Sequence, residues 1–301
     1  MRALIYLLFS SSIIFSLPAL SQEYQYLETD DFQLAYRVFG EGPPLLLLNG
    51  GPGFPSTHFS YLAEKLSQER QVILFDQRGT GKSTLSSIDT STIKVALMIN
   101  DIEALRRHLS IESWMVMGHS WGGMYAMCYA TQYPERVDKL LLSASGGIDL
   151  SFLEGLGAAI RSKLNPEELA DFEYYTAHPN APNAREKRLQ AMAPAYVYHR
   201  KHVPTVVKYL GELSAFVPEV NRLVWTDLRA IHYNLAQKAQ DFKKPVLIIQ
   251  GKQDILMEET ALKIDQAFPN SELALIDQCS HYLWLDQPQQ YFRALQEFIV
   301  R

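Results

Sequence analysis

The chain has 301 residues, 47% of them apolar and 20% charged, with a formal net charge of -5. That length holds one large domain with an insertion or two smaller domains, with enough apolar material for a sizeable core. The charge balance offers no polyanion-binding surface, which excludes nucleic acid as an expected partner, and no low-complexity tract or repeat is present.

The amino terminus reads as a secretory leader. Arg2 is followed by an apolar run over 3–15, and Ala19-Leu20-Ser21 places small residues where a signal peptidase cuts. Residues 1–21 are expected to be a signal peptide cleaved before Gln22, making the mature protein exported, periplasmic or secreted. The alternative is a retained membrane anchor, against which Pro18 and the small-residue site argue. No cysteine stands at the cleavage site to take a lipid. No later apolar stretch is long enough to span a bilayer, so no stable membrane association is expected after cleavage.

Apolar runs then recur at the spacing of an α/β fold. Segments 24–28 and 32–39 read as an opening antiparallel pair. Four consecutive leucines in 44–48 leave no polar face and predict a fully buried strand. Strands follow at 72–75, 113–117, 139–143, 246–250 and 272–276, with helical patterns at 58–69, 93–109, 124–132, 258–268 and 288–300. The predicted architecture is a mostly parallel eight-stranded sheet with helices on both faces. Between Gly146 and Asp241 the alternation stops. That segment is helical in pattern, rich in aromatics and broken by prolines. The expected organisation is therefore a core of residues 22–146 and 241–301 with a helical cap of residues 147–240 inserted after the sixth core strand. Cys128 and Cys279 fall at opposite heights of such a core and read as free buried thiols.

Gly118-His119-Ser120-Trp121-Gly122 stands between a predicted strand and a predicted helix. A G-x-S-x-G in that context is a nucleophile elbow, a turn so tight that only glycine fits two residues either side of the serine. A serine hydroxyl needs a base, and the base needs an orienting carboxylate. Asp254 follows the strand 246–250 and His281 follows the strand 272–276, both at carboxyl ends of parallel strands, where sites of such sheets are built. Ser120, Asp254 and His281 are thus the expected nucleophile, orienting acid and base. Asp286 is a rival acid, but it lies after the histidine and is expected to open the last helix. His119 is expected to point away from the base's place. An oxyanion needs two backbone donors, for which Trp121 and, in the loop Asn49-Gly50-Gly51-Pro52-Gly53, Gly51 are chosen, since Pro52 has no N–H.

Two other patterns carry no chemistry. Gly79-Thr80-Gly81-Lys82-Ser83 lacks the earlier glycine of a phosphate-binding loop, because Asp76 stands there. His199 and His202 flank two cations and read as a basic surface rather than a metal site. No cofactor is implied.

Taken together, these residues resemble the α/β-hydrolase superfamily and, within it, the proline iminopeptidase family of serine peptidases. Asn49 to Gly53 is similar to that family's His-Gly-Gly-Pro-Gly loop, and Asp76-Gln77-Arg78-Gly79-Thr80-Gly81-Lys82-Ser83 to its D-Q-R-G-x-G-x-S signature. Asn100 to Arg106 and Tyr129 to Val137 resemble the segments around its elbow. The resemblance implies triad roles for Ser120, Asp254 and His281, oxyanion donation by Gly51 and Trp121, and a structural role for the Asp76–Arg78 turn. Two departures stand out: Asn49 replaces the family's histidine, and His119 replaces a glycine at the elbow. The family's aminopeptidases hold the substrate amine with glutamates from the cap. No glutamate stands in the matching segment Arg229 to Tyr233, so recognition of an amine by Glu154, Glu167, Glu168, Glu173, Glu212 or Glu219 stays open.

The expected function is that of an exported serine hydrolase cleaving an amide or ester bond of a small molecule or short peptide through an acyl-enzyme. Tyr174, Tyr175, Tyr196, Tyr198, Phe216, Trp225 and Tyr233 are expected to supply the cap's apolar pocket. An esterase, a lactonase or a carbon–carbon bond hydrolase of the same fold is the alternative, and a small-molecule binder with a retained triad is a further one. The sequence leaves the scissile bond and the oligomeric state open.

Overall fold

A computed structural model describes residues 23–28, 32–211 and 216–301. The expected leader 1–21 with its expected cleavage site, and Glu212, lie outside the described residues.

Among the described residues, nine strands form one sheet. In chain order they are β1 (Gln25–Glu28), β2 (Phe32–Phe39), β3 (Pro44–Leu48), β4 (Gln71–Phe75), β5 (Thr84–Leu85), β6 (Trp114–His119), β7 (Val137–Ser143), β8 (Val246–Gly251) and β9 (Ser271–Ile276). The spatial order is β1-β2-β4-β3-β6-β7-β8-β9, with β5 pairing β2 off this path. Pairing is parallel from β4 through β9 and antiparallel among β1, β2, β4 and β5. The strand beyond the expected eight is β5. It is two residues long and follows a glycine-containing turn, so it has no periodicity to read.

The leucines of β3 explain the centre of the sheet. Leu45 to Leu48 are buried between β4 and β6, as parallel strands covered on both faces must be. Each such side chain contributes about 2 kcal/mol of burial relative to exposure. Flanking helices provide the cover: α1 (Ser60–Leu66) packs on β4, α2 (Val95–His108) on α3 (Trp121–Gln132), and α3 on β6, β7 and β3. From β7 to β8 the chain is helical, with α4 (Leu153–Ser162), α5 (Pro166–Ala177), α6 (Ala184–Met192), α7 (Val203–Gly211), α8 (Pro218–Ala230) and α9 (Ala236–Ala239). After β8 come α10 (Glu258–Ala267), α11 (Leu283–Asp286) and α12 (Pro288–Val300).

Helix boundaries shift where propensity conflicts with context. Ser56–Phe59 forms a 3-10 turn before α1, so the α-helix starts later than the pattern suggests. Helix α3 starts earlier, at Trp121, because Gly122 and Gly123 disguise its first turn. Asp286 does not open the last helix. It closes α11, and its carboxylate instead accepts from the backbone N–H groups of Tyr198, His199 and Ser280 at 2.8–2.9 Å, which ties the inserted segment to the loop carrying His281. Cys128 and Cys279 are both free and buried.

Candidate active site

Ser120 follows β6 directly and has φ 56° and ψ -122°, a left-handed conformation that costs a non-glycine residue about 1–3 kcal/mol. Backbone bonds hold it there: its N–H donates to the Ser143 carbonyl at 3.1 Å, and its carbonyl accepts from Gly123 and Gly146, both at 3.0 Å. The flanking glycines are required by contact. A Cβ on Gly118 would stand 2.1 Å from the Gly122 carbonyl oxygen, and one on Gly122 would stand 2.2 Å from that of Leu48.

Asp254 follows β8 and His281 follows β9, so all three residues stand at the same edge of the sheet. The His281 Nδ1 is 2.9 Å from Asp254 Oδ1 and 3.2 Å from Oδ2. Both side chains are buried, 4% and 0% exposed. An ionised carboxylate can only accept, so the proton of this bond sits on Nδ1, which leaves the neutral ring's Nε2 as a base. Two further donors fix the carboxylate: Gln250 Nε2 to Oδ2 at 2.9 Å and the Leu256 N–H to Oδ1 at 3.1 Å. Gln250 sits at the end of β8, and nothing in its local pattern marked it in the sequence.

Ser120 and His281 line one cavity of about 410 Å³ and also a smaller chamber of about 80 Å³. Gly51 borders both, with φ +64°, and Trp121 borders the larger. The loop lies close to the serine, since a Cβ on Gly50 would come within 3.1 Å of Ser120 Cβ. Asn49 takes the place of the expected histidine. Its Nδ2 donates to the Gly50 carbonyl at 3.1 Å and the Phe54 carbonyl at 3.3 Å, which pins the loop. Behind it, Asp76 accepts from the N–H and the hydroxyl of Ser56, both at 2.7 Å, and Arg78 forms a buried two-bond pair with Asp101. The Asp76–Arg78 turn thus ties the 3-10 turn at Ser56 to helix α2.

His119 differs from its expected placement. Its ring packs against that of His281, with centroids 4.7 Å apart. Burial first, and then the neighbouring imidazoles of His281 and His58, push its pKa well below the ordinary range, so His119 is neutral. Tyr196 stands edge-on to His281 at 5.2 Å, its hydroxyl pushed up to about 12 by burial and so un-ionised.

The larger cavity draws on fewer of the expected aromatics. Tyr196, Phe216 and Trp225 line the larger cavity, whereas Tyr174 and Tyr198 are exposed and Tyr175 packs beside Tyr174. Tyr233 is buried elsewhere and donates to the Gly147 carbonyl at 3.1 Å. None of the described glutamates over 147–240 lines the cavity. Glu168 pairs with Arg200, Glu173 with Arg161 and Glu219 with Arg222, while Glu154 and Glu167 are exposed. Arg185 and Arg188 line it instead. Sequence reading missed them because Arg185-Glu186-Lys187-Arg188 has the look of a solvated mixed-charge helix. Among the described residues no helix is long and apolar enough to cross a membrane.

Residues 43–288 match the family model of the alpha/beta hydrolase fold. The chain is 27% identical over 286 residues to a proline iminopeptidase of Lactobacillus helveticus strain DPC 4571, covering 89% of this chain and 94% of the relative. Among solved structures, a proline iminopeptidase of Mycobacterium smegmatis superposes with a TM-score of 0.68 at 23% identity, covering 92% of this chain and 97% of the other. Est816, described as an N-acyl homoserine lactone degrading enzyme, superposes with a TM-score of 0.70 at 20% identity, covering 91% and 100%. These structural likenesses show the shared fold.

Proposed function

Because the chain belongs to the α/β-hydrolase family and is related to proline iminopeptidases, we propose that it is a serine hydrolase acting on an amide or ester bond of a small substrate. The observation that supports this most is the buried His281–Asp254 bond of 2.9 Å at the wall of a cavity that Ser120 also lines.

In this reading the Ser120 hydroxyl adds to the substrate carbonyl and its proton passes to His281 Nε2. The Asp254 carboxylate keeps the other ring proton in place and stabilises the imidazolium. The tetrahedral oxyanion takes hydrogen bonds from the N–H groups of Gly51 and Trp121. As the first residue of α3, Trp121 has no carbonyl a turn below it to bond. The carbon–heteroatom bond then breaks, and the leaving group departs with the proton from His281. Water, deprotonated by the same nitrogen, attacks the acyl-enzyme. The acid product leaves and Ser120 is regenerated.

The relatives' name suggests release of an amino-terminal proline. An α-ammonium removed from water needs a carboxylate beside it, and among the described residues none lines the cavity. Ester, lactone or amide cleavage without amine recognition fits this lining better. The helices over 147–240 act in this proposal as a cap whose Phe216 and Trp225 wall the substrate from water. Export through the leader 1–21 belongs to the same proposal, and amino-terminal sequencing of the protein recovered outside the cytoplasm, starting at Gln22, tests it.

A panel of p-nitrophenyl esters and proline naphthylamide, run on the wild type and on Ser120→Ala, tests the reaction. Turnover of an ester that Ser120→Ala lacks is the expected result. Turnover undiminished in Ser120→Ala contradicts it.

A further inference from the structure

The larger cavity carries side-chain charge of one sign. Arg185 and Arg188 are three residues apart on α6, on one face of the helix, and both line it. Among the described residues, no Asp, Glu or Lys borders the cavity and neither arginine has a carboxylate partner.

Arg185 is held as if for a ligand. Its Nη2 donates to the Phe216 carbonyl at 3.2 Å and its guanidinium lies over the Phe216 ring at 4.4 Å, which fixes its plane. Its Nε is buried with no hydrogen-bond partner. Burial first, and then the charge of Arg188, pulls its pKa below the ordinary value. Both arginines line the same cavity as Ser120, His281 and Tyr196, whose ring abuts that of His281. A buried donor without an acceptor is costly, and two uncompensated cations are more so. A planar anion entering the cavity offsets the two uncompensated charges. Guanidinium groups match a carboxylate in shape, and the apolar walls, Phe152, Leu156 and Trp225 among them, suit a ligand carrying one charge on a hydrocarbon body.

We propose that the substrate is a carboxylate-bearing ester, lactone or amide, its acid group seated on Arg185 and Arg188 while its scissile carbonyl lies at Ser120. The inference rests on the serine-hydrolase reading and narrows it. It makes the cavity the electrostatic opposite of one that receives an amino terminus.

The test is protection of Ser120 against a neutral fluorophosphonate. The labelling rate of the mature chain is followed with equal millimolar concentrations of 4-phenylbutanoate, 4-phenylbutanamide or 4-phenylbutylamine. The acid is expected to slow labelling by about tenfold, the worth of one charge-assisted contact, while amide and amine slow it little. Arg185→Met and Arg188→Met should each weaken protection by the acid, and Arg188→Lys should retain part of it. Should either methionine variant fail to fold, the three-ligand comparison on the wild type decides alone. Equal protection by acid and amide, or stronger protection by the amine, overturns the inference and leaves the hydrolase reading standing. Absence of labelling at Ser120 without any ligand overturns the reading, and the inference with it.

Discussion

Gln77 and Trp121 share a buried hydrogen bond of 2.9 Å, the indole Nε1 donating to the carboxamide oxygen. The Nε2 of the same amide donates to the Asn49 carbonyl at 3.1 Å and to the Asn49 side-chain oxygen at 3.2 Å. One amide therefore joins the loop after β3 to the residue after Ser120, the two segments from which the oxyanion donors are proposed to come. Gln77→Leu cuts all three bonds. Misplacing an oxyanion donor lowers kcat by about 10–100-fold with little change in KM. Steady-state kinetics on a turned-over ester checks this, and an unchanged kcat contradicts it.

Asp254→Asn keeps the shape of the proposed orienting group but lets the amide donate, which in this proposal favours the wrong His281 tautomer. A loss of about 10⁴ in kcat is expected, as orienting carboxylates of this kind show. Gln250→Leu leaves the carboxylate in place with one donor fewer, and a smaller loss, about tenfold, is expected. Comparing the two by steady-state kinetics separates orientation of the base from orientation of the acid. Equal losses contradict the assignment.

Gly122→Ala puts a methyl against the Leu48 carbonyl oxygen, a backbone atom that cannot swing aside. The chain must shift around the elbow, at a cost of about 1–3 kcal/mol. Urea denaturation should show that loss in unfolding free energy, together with loss of ester turnover. Full stability contradicts the close packing of α3 on β3.

His119 is buried and neutral, its folded pKa depressed well below 6.5. The unfolded chain therefore takes up this proton at a higher pH than the folded one. The stabilisation is fully present above the unfolded value and is lost as pH falls from about 6.5 toward the folded pKa. Asp101 acts in the opposite sense: burial pushes its carboxyl up to about 6 against the pull of Arg78, favouring the fold at low pH. Comparing the wild type with His119→Gln isolates the histidine. Denaturation midpoints between pH 8 and 5 should fall less steeply in the variant on the acid side. Parallel curves contradict a neutral buried His119.

The sheet was legible in the sequence because buried parallel strands are continuous apolar runs, as in Leu45 to Leu48, and because glycine at 118 and 122 leaves a pattern that sterics enforce. The placement of Ser120, Asp254 and His281 at one edge of the sheet was legible because each follows a recognisable strand. What escaped reading depends on side chains distant in sequence. Gln250 and Gln77 matter through what their amides reach, which composition does not reveal. Asp286 looked like a helix cap and instead accepts from the backbone N–H groups of Tyr198, His199 and Ser280. Arg185 and Arg188 sit among exposed Glu186 and Lys187, so only the fold shows that their face of α6 turns inward.

The central claim is that Ser120 is an activated nucleophile, and fluorophosphonate labelling followed by peptide mass spectrometry measures it most directly. The account predicts one adduct, on Ser120, formed quickly by the wild type, slowly by Asp254→Asn and not at all by Ser120→Ala. Folded wild-type protein that takes no label, or that takes it on another residue, contradicts the account.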